Sequence, residues 1–256
     1  MHGAGGNVLN FKIMSDRLGP EQPFYALQAQ GVDGRLPVLP TIEAMAAQYV
    51  EAIRSVDPQG PYRLAGYSGG GVIAFEMAQQ LKKDGADIEL LAMVDTLSPT
   101  AAGKSQSFLK KLWLIRHWSL KFAMERSVRR RAGELMDANY ALALEKLSRG
   151  EPLTPELVEF HLFRNFVAAQ ERYQMEPYAG PLVLFRATQD ADMQYLGAGK
   201  TLGWSRHVQG AIRVRDVAGS HASMMLEPGV SQLIKALAKE LALLDADPEN
   251  ARTQTA

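Results

Sequence analysis

The chain carries two patterns of apolar residues, one typical of buried strands and one typical of helices. Short apolar runs predict strands at residues 24–28, 62–65, 88–94, 182–186 and 212–217. Apolar residues that recur every three or four positions predict helices at residues 8–18, 42–56, 72–83, 107–131, 134–147, 155–175 and 230–244. Because strand and helix alternate, we expect an α/β fold with a mainly parallel sheet and helices on both of its faces.

The alternation stops between residues 98 and 176, where only helices are predicted. Thr154 is placed to cap the last of them and Pro155 to occupy its first turn, as is common at helix starts. Such a helical insertion is expected to form a lid over the carboxyl edge of the sheet. The predicted organisation is a core of residues 1–97 and 177–245, a lid of residues 98–176 and a disordered polar tail of residues 246–256.

Composition narrows the classes of function. The 256 residues are 46% hydrophobic and 22% charged with no formal net charge, so no nucleic-acid surface is expected. No signal peptide or bilayer-spanning run is apparent, which favours a cytoplasmic protein without a membrane partner. Cysteine is absent, which excludes disulfides and a cysteine nucleophile. The histidines lack metal-ligand spacing, so neither a metal nor a tightly bound cofactor is expected.

The motif G-x-S-x-G spans residues 66–70, between a predicted strand and a predicted helix. Gly66 and Gly70 allow the two backbones to approach, and the turn would hold Ser68 in a strained conformation with its hydroxyl exposed. This context is typical of a nucleophile elbow. The competing interpretation is a plain glycine turn or a phosphate-binding loop, but no Walker lysine follows and the spacing differs from G-x-G-x-x-G.

A serine nucleophile needs a base, and an acid that orients the base. His221 is the favoured base because it follows a strand at a glycine-bearing turn. The other histidines lie in predicted lid helices, in a polar loop or near the terminus: His117, His161, His207 and His2. Asp95 is the favoured acid because it ends a strand directly, while Asp190 and Asp192 lie some residues into a loop and stay open as alternatives. The chain order Ser68, Asp95, His221 is that of the α/β-hydrolase class.

An oxyanion hole would use the backbone N–H of Gly69 and one further N–H from a loop after an earlier strand. Residues 2–6 (HGAGG) have the composition of that loop, and by position its donor is the N–H of Ala4. The alternative interpretation of this segment is a flexible N-terminal tail.

Taken together, these segments resemble the thioesterase domain that ends nonribosomal peptide and polyketide synthases. The resemblance rests on residues 2–11 (HGAGGNVLNF), 25–34 (YALQAQGVDG), 41–81, 90–96 (LLAMVDT), 202–204 (LGW) and 219–228 (GSHASMMLEP). It implies an α/β-hydrolase fold with a divergent helical lid. It also supports Asp95, because such families place the acid after the strand that follows the elbow. Free-standing editing thioesterases resemble the chain less, since they usually show a GHSMG-like elbow.

The resemblance also implies a reaction and a partner. An acyl or peptidyl chain would arrive as a thioester on the phosphopantetheine arm of a carrier protein and be transferred to Ser68. Water would then hydrolyse the acyl-enzyme, or an internal amine or hydroxyl would close a macrocycle. The lid helix at residues 108–118 and the arginines at 129–131 are interpreted as a solvated amphipathic helix. The alternative is an acyl channel with a basic docking site for an acidic carrier protein.

The sequence departs from the family pattern in two places, and each departure leads to an expectation about the protein. Relatives more often have a bulky aromatic residue just after the serine, so the glycines at 69–71 are expected to loosen the elbow. In addition, the HGAGG loop normally follows a central strand, and here only Met1 precedes it. We therefore expect the sequence to be cut from a longer chain or to start at a misplaced position.

Two other functions remain open at this stage. A free-standing esterase or lipase would use the same three residues on oxygen esters. A non-catalytic acyl- or carrier-binding module would result if the elbow were spoiled.

Overall fold

A computed structural model of the chain describes residues 1–34, 36–101, 134–135, 137–189 and 198–246. These residues form a parallel sheet whose strands are β1 (Tyr62–Tyr67), β2 (Ile88–Val94), β3 (Leu182–Ala187) and β4 (Ile212–Val217), hydrogen-bonded in that order. The predicted strands in these four places are therefore confirmed. The predicted lid helix at 107–131 and residues 247–256 of the predicted tail lie outside the described residues.

Six helices are described, and they follow the predicted pattern closely. They are α1 (Lys12–Leu18), α2 (Ile42–Val56), α3 (Gly70–Lys83), α4 (137–148), α5 (Pro155–Arg172) and α6 (Gly229–Ala246). Short 3₁₀ turns occur at Leu9–Phe11, Trp204–Arg206 and Ser223–Met225. The predicted cap at Thr154 is confirmed, since its hydroxyl accepts a hydrogen bond from Leu157 N at 3.5 Å, and Thr41 caps α2 in the same way through Ala44 N at 3.1 Å.

The sheet separates two apolar clusters, which explains the uninterrupted apolar run of β2. Leu91 and Met93 pack on one face with residues of α2, α3 and α5, while Leu90, Ala92 and Val94 pack on the other with residues of α1 and α6. Adjacent residues of a strand point to opposite faces, so a strand covered on both sides must be apolar at every position. Each fully buried leucine contributes roughly 1.5–3 kcal/mol to this packing.

The predicted strand at residues 24–28 is wrong. These residues have no regular secondary structure, although Phe24 and Leu27 pack against the apolar clusters and Tyr25 is 69% exposed. Among the described residues, β1 is an edge strand, and Met1 lies beside it: its amino group donates to Ala65 O at 2.5 Å and its carbonyl oxygen accepts from Tyr67 N at 3.4 Å. A strand exists through pairing with a neighbour, and an alternating sequence does not supply that neighbour.

Candidate active site

Ser68 lies on the sharp turn between β1 and α3. Its φ is +54°, a left-handed conformation that non-glycine residues rarely adopt outside tight turns and functional sites. A side chain at Gly66 would collide with the backbone of Gly70, so glycine is required where the strand and the helix approach each other. A side chain at Gly69 would collide with the ring of Phe166 on α5. The aromatic group beside the elbow is therefore supplied by another helix.

Ser68, His221 and Asp95 are brought together at the carboxyl edge of the sheet. His221 Nε2 lies 3.0 Å from Ser68 Oγ, and His221 Nδ1 lies 2.7 Å from Asp95 Oδ2. Asp95 directly follows β2, is 1% exposed, and accepts a second hydrogen bond on Oδ1 from Ala187 N at 2.8 Å. With a proton on Nδ1 shared with the carboxylate, Nε2 is free to accept the serine proton. The alternative acids Asp190 and Asp192 lie outside the described residues.

Tyr67 packs against the imidazole of His221 and helps to hold it in place. The two rings are stacked, with centroids 5.0 Å apart and an interplanar angle of 18°. The Tyr67 hydroxyl also donates to the backbone oxygen of His221 at 2.9 Å. Sequence reasoning missed this residue, and the available signal was only its place in the motif, immediately before the serine.

The loop of residues 2–6 lies against the elbow. A Cβ at Gly3 would be 3.7 Å from Ser68 Cβ, and the loop is closed by a hydrogen bond from Gly6 N to Gly3 O at 2.9 Å. Ala4 follows Gly3 and Gly69 follows Ser68, so the two predicted oxyanion donors belong to segments that adjoin the serine. The interpretation of residues 2–6 as a flexible tail does not fit this packing.

His2 anchors that loop from the inside of the protein. It is 3% exposed, with Nδ1 2.6 Å from Gly3 O and Nε2 2.6 Å from the Tyr49 hydroxyl on α2. Burial lowers the pKa of His2 to about 4, so the imidazole is neutral at pH 7. Nδ1 then donates to Gly3 O, and Nε2 accepts from Tyr49 Oη. Tyr49 lies on the buried face of α2, and sequence reasoning did not predict its hydrogen bond to His2.

A cavity of about 640 Å³ opens beside Ser68. Its walls are the loop around Gly3 to Asn7, the side chain of Tyr67 and one face of α5. This volume is within the range of cavities that hold small organic ligands. A substrate carbonyl at Ser68 could therefore extend its attached chain along α5.

The described ranges hold neither a grouped set of metal ligands nor a membrane-spanning helix. No three His, Cys, Asp or Glu residues in these ranges are grouped so that they could hold a metal ion. No described helix combines the length and the apolar character needed to cross a membrane.

Comparison with known proteins gives a consistent result. A family model described as "Thioesterase domain" matches residues 1–241. The malpibaldin synthetase of Mortierella alpina is 32% identical over 208 residues, which cover 81% of this chain and 3% of that protein. The dimodular nonribosomal peptide synthase of Bacillus subtilis (strain 168) is 26% identical over 252 residues, covering 94% of this chain and 10% of that protein. The chain thus spans a tenth or less of the length of these relatives.

A solved structure is similar over nearly the whole chain. The NocB thioesterase domain, in covalent complex with a fluorophosphonate nocardicin G analogue, superposes with a TM-score of 0.65 at 24% identity. The match covers 94% of this chain and 91% of that one. Together with the parallel sheet and its flanking helices, this likeness confirms the predicted α/β-hydrolase fold class.

Proposed function

Since the chain belongs to the thioesterase domain family, we propose that it releases acyl or peptidyl chains from a carrier protein through a serine acyl-enzyme. One of the relatives named above is a nonribosomal peptide synthase, which supports a thioester on the phosphopantetheine of a carrier protein as the substrate. The carrier protein is then the partner, and residues 98–176 are the lid over residues 1–97 and 177–245. The absence of cysteine fits action in a reducing cytoplasm.

In the first half-reaction, Ser68 Oγ attacks the thioester carbonyl while its proton passes to His221 Nε2. Asp95 holds Nδ1 and stabilises the imidazolium that forms. The N–H groups of Gly69 and Ala4 hold the oxyanion of the tetrahedral intermediate, an arrangement worth about 10²–10³ in rate per donor. The C–S bond then breaks, the leaving thiol takes the proton from His221, and the acyl group remains as an ester of Ser68.

In the second half-reaction, an acceptor enters where the thiol left. His221 takes a proton from water, or from an amine or hydroxyl of the acyl chain itself, and this oxygen or nitrogen attacks the ester. Collapse of the second intermediate returns the proton to Ser68. The product is a free acid with water as acceptor, and a macrocycle with an internal acceptor.

The observation that carries this proposal is the series of hydrogen bonds from Asp95 through His221 to Ser68, at 2.7 and 3.0 Å, open to the cavity. Its test is intact-mass analysis after treatment with a fluorophosphonate, which reacts with activated serines. We expect one adduct on the wild-type chain and none on Ser68→Ala. We also expect pantetheine thioesters to be turned over faster than the matching oxygen esters, and Ser68→Ala to lose at least 10³-fold in kcat.

Two outcomes would contradict the proposal. An adduct of equal yield on Ser68→Ala would place the reactive group elsewhere. A folded wild-type chain that gives no adduct but binds acyl-pantetheine would be an acyl-binding module, and one that prefers oxygen esters would be an esterase.

A further inference from the structure

One face of α5 forms a wall of the cavity. The residues of this face that line the cavity recur at helical spacing: Pro155, Val158, Glu159, Leu162 and Phe163. Val158 and Leu162 are buried, while Pro155 and Glu159 are exposed at the open side of the cavity. Here one position carries a carboxylate, and the other four are apolar.

Glu159 is the one lining side chain, among the described residues, that is charged at pH 7. The described part of the chain gives it no hydrogen bond and no ion pair, whereas the carboxylates of Asp137, Glu145 and Glu151 nearby in sequence all have cationic partners. Its Oε1 lies 3.8 Å from the Cβ position of Gly5, on the loop that adjoins Ser68. The carboxylate therefore faces the space that a bound acyl chain would occupy.

The position of Glu159 along α5 fixes its distance from the elbow. Phe166, two turns further on, contacts the elbow at Gly69. With a rise of 1.5 Å per residue, Glu159 lies about 10 Å along the helix from that contact. An extended peptide covers about 3.3–3.6 Å per residue, so a side chain in the first few residues behind the thioester carbonyl reaches it.

The charge also limits what the cavity can hold. The Glu159 side chain is exposed at the cavity, beside buried Val158 and Leu162, so its carboxylate attracts a cation and repels a phosphate across this space, with a strength that salt screens. The phosphate of the pantetheine arm is therefore disfavoured here. A side chain with a methylene stem and a cationic end suits both the apolar positions and the carboxylate.

We propose that Glu159 is a specificity-determining residue that selects acyl or peptidyl chains bearing an amine or guanidinium close to the thioester. The proposal rests on the proposed function, since it assigns the chain attached at Ser68 to this cavity. It names a class of substrate, a cationic peptidyl chain, and places its charged group against α5.

The test compares matched substrates on matched variants. The substrates are N-acetylcysteamine thioesters of two dipeptides that differ only in lysine against norleucine, which lacks the ammonium but keeps the aliphatic stem. The variants are wild type, Glu159→Gln and Glu159→Lys, with Glu156→Gln as control. Glu156 lies on the same helix and is exposed like Glu159, but it does not line the cavity.

We expect the wild type to prefer the lysine substrate by about threefold to tenfold in kcat/KM, mostly through KM, and less at high salt. Glu159→Gln should abolish this preference, Glu159→Lys should invert it, and Glu156→Gln should keep it. Equal use of both substrates by the wild type would overturn the proposal. So would a preference that survives Glu159→Gln or is lost in Glu156→Gln.

A binding measurement separates this proposal from the proposed function. Calorimetry on Ser68→Ala with the two dipeptide amides needs no turnover. Tighter binding of the lysine amide, lost in Ser68→Ala/Glu159→Gln, supports the role of Glu159 even if no acyl-enzyme forms. Equal binding of the two amides contradicts that role, even if the fluorophosphonate adduct shows that Ser68 is reactive.

Discussion

Tyr49 is tied to the candidate oxyanion loop through a single side chain. Its hydroxyl donates to His2 Nε2, and His2 in turn donates to Gly3 O beside the elbow. The conformation of residues 2–6 therefore depends on a residue of α2 that contacts neither Ser68 nor the cavity mouth. In the proposed mechanism, a positioning role of this kind would act on catalysis through the N–H of Ala4.

Replacing Tyr49 by Phe tests this role. We expect kcat for a pantetheine thioester to fall about threefold to thirtyfold with KM little changed, because a displaced N–H weakens the oxyanion hole more than substrate binding. The free energy of unfolding should fall by about 1–3 kcal/mol, since Nε2 stays buried without a donor.

Tyr62→Phe is the matched control for this prediction. Tyr62 is also buried, and its hydroxyl donates to Asp57 O at 2.8 Å, away from the loop. It should lose stability without losing kcat. Equal loss of kcat in both variants would reduce Tyr49 to a general stabilising residue.

At the scale of elements, α5 is docked directly on the elbow. The ring of Phe166 fills the place where a Gly69 side chain would lie. That the glycines at 69–71 loosen the elbow stays a prediction, and the contact with Phe166 gives a physical reason for glycine at position 69. The Phe166 ring and the glycine turn are complementary in size, so changing the size of either should displace Ser68.

Gly69→Ala should therefore lower the rate of fluorophosphonate labelling by about 10-fold or more, because the new methyl group moves the turn or α5. Phe166→Leu alone should have a smaller effect, and adding it to Gly69→Ala should restore part of the rate. The measurement is a double-mutant cycle on labelling rates, with circular dichroism to confirm folding. Strictly additive losses would show that the two residues do not compete for this space.

Sequence patterns predicted helices and strands well where the local spacing of apolar residues specifies the element. They failed at residues 24–28, because a strand requires a partner that lies elsewhere in the chain. They also did not indicate why β4 alternates apolar and charged residues. Arg213 and Arg215 face Glu240 of α6, which is fully buried within an otherwise apolar stripe, and their ion pairs measure 3.1 and 2.6 Å.

At the scale of the whole molecule, His2 links stability to pH. Burial lowers its pKa from the ordinary value of 6.5 to about 4 in the folded state. Between these values the unfolded chain binds more protons than the folded one, so stability must fall as pH drops through this window. The pH-dependent contribution of His2 to the free energy of unfolding is fully present above pH 6.5, and it amounts to about 3 kcal/mol relative to low pH.

The measurement is denaturant unfolding from pH 7 to pH 4 on the wild type and on His2→Gln. Buried carboxylates contribute to acid destabilisation in both proteins, so the difference between the two curves isolates His2. We expect the wild type to lose more stability than His2→Gln over this range. Parallel curves would contradict the assignment.

The order of amino acids was enough to predict the alternation of strand and helix, the sharp turn at Ser68 and the candidate residues Asp95, His221, Ala4 and Gly69. These features depend on residues close in sequence, because periodicity, glycine content and position after a strand can all be recognised within a short segment. Tertiary structure alone decided that His221, 153 residues from Ser68, lies within hydrogen-bond reach of it. It also decided that Phe166 and Glu159 lie beside the site and that Tyr49 is linked to it through His2. Those contacts depend on how the helices pack against the sheet. This packing depends jointly on the shapes of many side chains that are far apart in the sequence.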